Sequence, residues 1–262
     1  MLFDTLLPLA TGFAASCAVM TALWFVQRRT GNAGIVDVAW AGLVGLLGVY
    51  FAAWPAGIPW LRGLAGVMIA GWSLRLTIYL GRRVIGHPEE GRYVELRRRW
   101  GEQASRKFFG FFLMQAAAAW IFATPVMAIA RSAAPPPEWC AILALLCWAV
   151  GIGGVSLADW QLARFKRRPD VGGRTCREGL WRYSRHPNYF FEWVHWNSYI
   201  LLAVGSSFWW APALVAGGLL YLLLFVTGIP PTEAQALASR GDDYRDYQRT
   251  TSSFIPWPPR AN

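Results

Sequence analysis

Residues 159–192 read DWQLARFKRRPDVGGRTCREGLWRYSRHPNYFFE, a polar and basic stretch set between two long apolar runs. Eight Lys or Arg side chains fall between Arg164 and Arg185, against the acids Asp159, Asp170 and Glu178. Its second half, Arg185-His186-Pro187-Asn188-Tyr189, leads straight back into an apolar segment that carries Glu192. Pro187 suits the first turn of a helix, where a missing N–H costs nothing. A helix starting there puts Asn188 and Glu192 four residues apart on one face. Amides at a helix start, ringed by arginine, make a plausible anion site.

Working outward, the rest of the chain is apolar. Of 262 residues 55% are hydrophobic and 15% charged, with 16 Trp and a mean hydropathy of +0.30. Soluble proteins carry about 25% charge, so this balance points to a membrane protein. The net charge is +10, but the basic residues come in blocks between apolar runs. Nucleic acid is therefore a poor partner, and lipid headgroups or a phosphorylated cofactor are better ones. No basic n-region or small-residue cleavage site precedes the first apolar run, so a retained span is expected.

A helical span needs about 20 mostly apolar residues. Seven segments qualify: 5–26, 34–54, 60–80, 108–130, 138–158, 189–206 and 208–228. Trp54-Pro55-Ala56-Gly57-Ile58-Pro59-Trp60 reads as a tight interfacial turn between the second and third. Connectors 27–34, 81–107, 159–188 and the tail 229–262 hold two, eight, eight and four of the 25 Lys and Arg. That alternation predicts an all-α integral membrane protein with seven transmembrane helices, an external N-terminus, a cytoplasmic C-terminus and a cytoplasm-facing site. A bacterial inner membrane is the expected location. The expected organisation is one transmembrane domain over 1–262. Within it, 1–107 supplies substrate-side helices and a basic connector, and 108–262 supplies the cofactor loop 159–192 and a closing tail 229–262. Segment 89–107 reads as an amphipathic helix on the lipid surface. Gly42, Gly45 and Gly48 in the second span, and Gly151, Gly153 and Gly154 in the fifth, predict close helix packing.

Charged groups inside a membrane are expensive and usually functional. Asp37, Arg75 and Glu192 fall in or at the mouths of spans, and Asp37 with Arg75 could form a structural pair. His195 lies three residues after Glu192 on the same face. With only three histidines and no HxxxH or HExxH, no metal is expected. Cys17, Cys140 and Cys147 lie in apolar runs as small core residues, and no CxxC pair is present. No Ser or Cys has a recognisable base nearby, which argues against a nucleophilic mechanism. A phosphate-rich cofactor gripped by Arg and Lys, beside a lipophilic substrate from the bilayer, is what the residues leave open.

Asp159-x-Gln161, Gly179-Leu180-Trp181-Arg182-Tyr183-Ser184-Arg185-His186-Pro187-Asn188-Tyr189-Phe190-x-Glu192 and Asp243-Tyr244…Tyr247…Ser253-Phe254-Ile255-Pro256-Trp257 resemble the steroid 5-alpha-reductase family. The likeness is closest to its bacterial branch, a domain of unknown function (DUF1295), and is specific across 155–262. It implies seven helices and NADPH-dependent hydride transfer to the C=C bond of an α,β-unsaturated ketone in a steroid-like substrate. By position it implies cofactor contacts from Asp159, Arg174, Asn188, Glu192 and Tyr183, with Lys166 in place of an Arg. Arg185, His186 and Tyr189 of the same motif complete the expected set, and Tyr244 and Tyr247 align with the family's closing segment. The family's Glu and Tyr that touch the substrate carbonyl imply Asp37 as one donor. The Tyr position falls near Trp72, which leaves Tyr79 as the other candidate.

Arg-His-Pro-x-Tyr before a terminal membrane hairpin also resembles the isoprenylcysteine and phospholipid methyltransferases, which bind S-adenosylmethionine. Those usually place Gly soon after the Tyr, where this chain has Phe190-Phe191-Glu192. Their cofactor has no phosphates, so a large basic loop is not required. The reductase is the leading expectation, the methyltransferase the alternative, and a non-catalytic lipid-binding protein a third.

Overall fold

Close approach of helices, bought by missing side chains, organises the structure. The computed structural model describes residues 2–54 and 57–260, with side chains from residue 5 onward. Its helices are α1 (Leu2–Thr30), α2 (Ile35–Ala53), α3 (Pro59–Val84), α4 (Gly91–Trp100), α5 (Ala104–Ala130), α6 (Glu138–Lys166), α7 (Pro187–Leu202), α8 (Trp210–Tyr221), α9 (Ile229–Arg240) and α10 (Asp242–Thr250). No strand occurs among the described residues. The predicted turn at 54–60 includes Pro55 and Ala56, which lie outside them.

Six segments are long and apolar enough to cross a membrane: Thr5–Thr30, Ile35–Ala53, Pro59–Val84, Gly91–Ala130, Glu138–Lys166 and Trp210–Arg240. The protein is an integral, multi-pass membrane protein. Leu46, Val67, Leu214 and Phe225 point outward with 65–70% of their surface exposed, which suits lipid and not water. Segment 189–206, expected as a further span, is the 16-residue α7. At 1.5 Å per residue α7 is about 24 Å long, short of the roughly 30 Å hydrocarbon core.

The chain divides into two compact units, Met1–Pro135 with Gly205–Ala211, and Pro136–Val204 with Pro212–Asn262. In the first, α2 packs chiefly on α3 and α5, and α1 on α5. A Cβ on Gly45 would sit 2.2 Å from the Ser73 hydroxyl, and one on Gly48 2.7 Å from Ile69. The gap that glycine leaves lets Ser73 Oγ donate to the Ala41 carbonyl at 2.7 Å. Leu47, Phe51, Ala123 and Met127 form an apolar core beside this seam. Two indoles hold α1 to α5: Trp24 donates to the Ser105 carbonyl at 3.0 Å, and Trp120 to that of Leu9 at 2.8 Å.

In the second unit, α6 and α7 pack along much of their length. Gly151 lies against His195 and Gly154 against the Phe191 ring, whereas Gly153 faces open space. After α6 the chain forms the loop 167–186, containing a short 3-10 turn, Gly179–Arg182. Gln161 fixes that loop, its Oε1 accepting from the Leu180 amide at 2.9 Å. Gly179 has φ +57° and a Cβ there would meet Gln161, so glycine is required on both counts. Trp181 packs with Ala158, Phe165 and Cys176 and donates to the Ala158 carbonyl at 2.9 Å. Beyond α8 the backbone widens into a π-helical turn, Leu222–Val226, before α9.

Candidate functional site

Of the residues expected at the site, Asp37 and Tyr79 belong to the first unit, as does Arg75, and those from Asp159 onward to the second. Most of the second group meets where α7 begins. His186 ends the polar loop, Pro187 occupies the first turn, and the helix then presents Asn188, Tyr189 and Glu192. Asn188 Nδ2 donates to the buried Asp159 at 3.3 Å, joining the end of α6 to the start of α7. The Tyr189 hydroxyl lies 3.1 Å from that of Thr232 on α9, and its ring stacks on His186 at 5.3 Å. Glu192 accepts from the Trp196 indole at 3.4 Å, and its own carbonyl lies 2.8 Å from His195 Nδ1.

The centre of this assembly is Glu233, which the sequence reading did not single out. Its Oε1 accepts from Arg185 Nε at 2.6 Å and lies 3.2 Å from His186 Nε2, while Oε2 accepts from Gln248 at 2.7 Å. Arg185 also donates to the carbonyls of Thr251 at 2.7 Å and Gln248 at 3.1 Å. Such charge-assisted bonds are about twice as strong as neutral ones. One guanidinium thus pins α9, α10 and the following segment to the mouth of α7.

That segment runs back along the loop. Arg185 N–H donates to the Ser252 carbonyl at 2.8 Å, Ser184 Oγ to that of Phe254 at 2.8 Å, and Trp257 N–H to that of Tyr183 at 2.9 Å. Phe254 is buried with Leu223 and Ile229. The Tyr247 hydroxyl donates to the Trp181 carbonyl and to the Ser184 carbonyl, the latter at 3.1 Å. Burial drives the Tyr244 and Tyr247 hydroxyls well above the ordinary phenol range, so both stay protonated donors. Arg177 grips Asp246 at 2.7 Å and Asp243 at 3.2 Å, and Asp243 accepts from the Thr175 amide at 2.7 Å. The Arg177 hydrogen bond, with one from Arg249, holds the Asp246 carboxyl below its usual value.

Lys166, Arg174 and Tyr183 stand apart from this centre as exposed side chains. Lys166 and Arg174 instead line a separate pocket after α6. Cys176 at its wall is raised above the normal thiol range by burial, which makes it an inert core residue and not a nucleophile. Among the described residues no group of three or more His, Cys, Asp or Glu is placed to hold a metal ion.

In the first unit, Asp37 accepts from the Arg92 guanidinium and from the Tyr93 hydroxyl at 2.9 Å. Both partners lie on α4. Tyr93 is buried against Phe108 and Phe111. Glu89, just before α4, accepts from the Ala33 amide and from Arg97, each at 2.8 Å. The segment expected to lie on the lipid surface is therefore clamped to the start of α2. In these bonds Asp37 is an acceptor. Tyr79 lies under the Arg83 guanidinium, 5.7 Å away.

A family model described as "Protein of unknown function (DUF1295)" matches residues 23–251. The chain belongs to the DUF1295 family. Over 85 residues this DUF1295 protein is 34% identical to the methanethiol S-methyltransferase of Mycobacterium tuberculosis (strain ATCC 25618 / H37Rv). The match covers 31% of the chain and 30% of that relative's length. No solved structure matches. A methyltransferase is a transferase and not an oxidoreductase, so the expected reductase activity is corrected, and the enone chemistry assigned to Asp37 and Tyr79 goes with it. Part of the basic loop's charge is cancelled within the protein, where Arg168 is forked onto Glu178 at 2.5 and 2.7 Å, Arg177 onto Asp243 and Asp246, and Arg185 onto Glu233.

Proposed function

We propose that this DUF1295 protein is a membrane methyltransferase that uses S-adenosylmethionine, with a thiol as the acceptor. The observation that carries this reading is the 34% identity to a methanethiol S-methyltransferase; the Arg185-His186-Pro187-x-Tyr189 turn supports it. The cofactor supplies an electrophilic methyl group on a sulfonium and carries an ammonium and a carboxylate. The residues at the mouth of α7 suit that charge pattern. Asp159 and Glu192 provide carboxylate character for its cationic groups, and the rings of Tyr189, Phe190 and Trp193 provide faces for cation–π contact. The Trp193 indole N–H is buried without a hydrogen-bond partner among the described residues. A donor left unmet in an apolar setting is costly, and a ligand carboxylate would satisfy it.

In this reading the protein orients and excludes water more than it transfers protons. The Arg185–Glu233–His186 cluster holds α9 across the opening, and Phe254 with Leu223 and Ile229 closes it with apolar surface. A thiol entering from lipid would meet the methyl group in a site with little competing water. On the membrane, the Lys and Arg distribution favours loop 159–188 and the tail on the cytoplasmic side of a bacterial inner membrane. Counting α7 as a seventh, shortened span agrees with an external N-terminus.

Protein purified in detergent is titrated with S-adenosylmethionine and with NADPH by calorimetry, and labelled S-adenosylmethionine is supplied with methanethiol and longer alkyl thiols. Binding of S-adenosylmethionine with label transferred to a thiol is expected. Binding of NADPH alone, with no label transferred to any thiol, would overturn the reading.

A further inference from the structure

A pocket of about 460 Å³ opens in the second unit between the last turn of α6, the loop that follows and the end of α9. Four cationic side chains line it: Lys166, Arg168, Arg174 and Arg240. Its apolar wall includes Leu162 and Phe165. The cations are not equivalent. Arg168 is turned onto Glu178, and the Arg240 guanidinium lies over the Tyr244 ring, 5.1 Å away, which fixes its direction. Arg174 is exposed, and among the described residues no carboxylate pairs with it. The one further acid in the loop, Asp170, is exposed beside Arg168.

The charge of the pocket selects the ligand. S-adenosylmethionine carries a sulfonium and an ammonium against one carboxylate, so a basic lining with an unpaired Arg174 disfavours it. A phosphate is the complementary group, and guanidinium forks bind it in two-point fashion. Depth selects its source. α6 has 29 residues, and at 1.5 Å per residue it is about 43 Å long. A bilayer with its headgroup layers is about 40–45 Å thick, so the last turn of α6 reaches the phosphate level. Leu162 and Phe165 then offer apolar surface on the side from which a lipid's glycerol and first methylenes would come.

We propose that this pocket is a phosphate-recognition site for the headgroup of an anionic phospholipid. It is separate from the α7 mouth and does not depend on the methyltransferase reading.

Native mass spectrometry of the purified full-length protein tests it, with phosphatidylglycerol, phosphatidylcholine or inorganic phosphate added. The wild type and an Arg174→Gln/Arg240→Gln double variant are compared, with Tm measured for both. Expected is retention of phosphatidylglycerol over phosphatidylcholine, reduced in the variant by about fivefold for each charge removed, at unchanged Tm. If the variant's Tm falls, Arg174→Gln alone, at an exposed position, gives the same comparison. Equal retention of the two lipids, or equal retention by wild type and variant, overturns the proposal. Binding of inorganic phosphate without phosphatidylglycerol overturns the lipid as its source.

Discussion

Arg185 Nε and Glu233 Oε1 lie 2.6 Å apart across 48 residues of sequence, with 11% and 14% of their side chains exposed. Removing one partner of a buried pair strands the other charge and costs about 3–5 kcal/mol. Glu233→Ala and Arg185→Ala should each lower Tm strongly and expose residues 251–260 to protease. The double variant should cost much less than the sum of the two, because neither charge is then left unmet. Additive losses in that cycle would show that the pair does not couple.

Neighbouring glycines on α2 should respond differently to the same substitution. A Cβ on Gly45 would lie 2.2 Å from Ser73 Oγ, while one on Gly42 meets Thr77 at an ordinary 3.7 Å. Gly45→Ala should destabilise by about 1–3 kcal/mol through overpacking. Gly42→Ala should be neutral or slightly stabilising, since alanine is the better helix former. Thermal denaturation in one detergent compares the two directly.

High pH should loosen the segment that crosses the polar loop. The Tyr247 hydroxyl is raised by burial first and by Tyr244 second. In the unfolded chain the phenol ionises near its ordinary value, about 10, whereas in the folded protein it stays protonated well above that. Its contribution is therefore complete below pH of about 10 and is lost as pH rises towards the folded value. Asp246 acts in the opposite sense, with its contribution present above the usual carboxylate value and lost as pH falls through the depressed folded one. Proteolysis of the tail against pH should show protection falling at both extremes. Tyr247→Phe should lose the part of the alkaline limb that comes from Tyr247, while Tyr244 keeps its own.

How much of this could be read from the sequence depends on the range of the interaction concerned. Period, length and charge placement are local, and they led to an all-helical, multi-pass protein and to the tight seams at Gly45, Gly48, Gly151 and Gly154. Partners distant in sequence were not legible. Asp37 was matched to Arg75, the nearest charge in the next span, but Arg92 and Tyr93 hold it from 55 and 56 residues away. Glu233 follows the Pro-Pro pair at the start of α9, and nothing local reveals that three side chains converge on it. The charge of loop 159–188 is a similar case, since counting its arginines gives the total but not that Glu178, Asp243, Asp246 and Glu233 cancel part of it.

The guanidinium of Arg185 also sets an order of events during synthesis. When Arg185 is added to the growing chain, the groups that satisfy it at Glu233, Gln248 and Thr251 are still 48, 63 and 66 residues from being made. At about 5–20 residues per second that interval lasts several seconds. Throughout it, Arg185 has none of these three partners. A nascent chain stalled in that interval carries an open, charged helix end that the finished protein hides, a mark by which a membrane protease could tell the two apart.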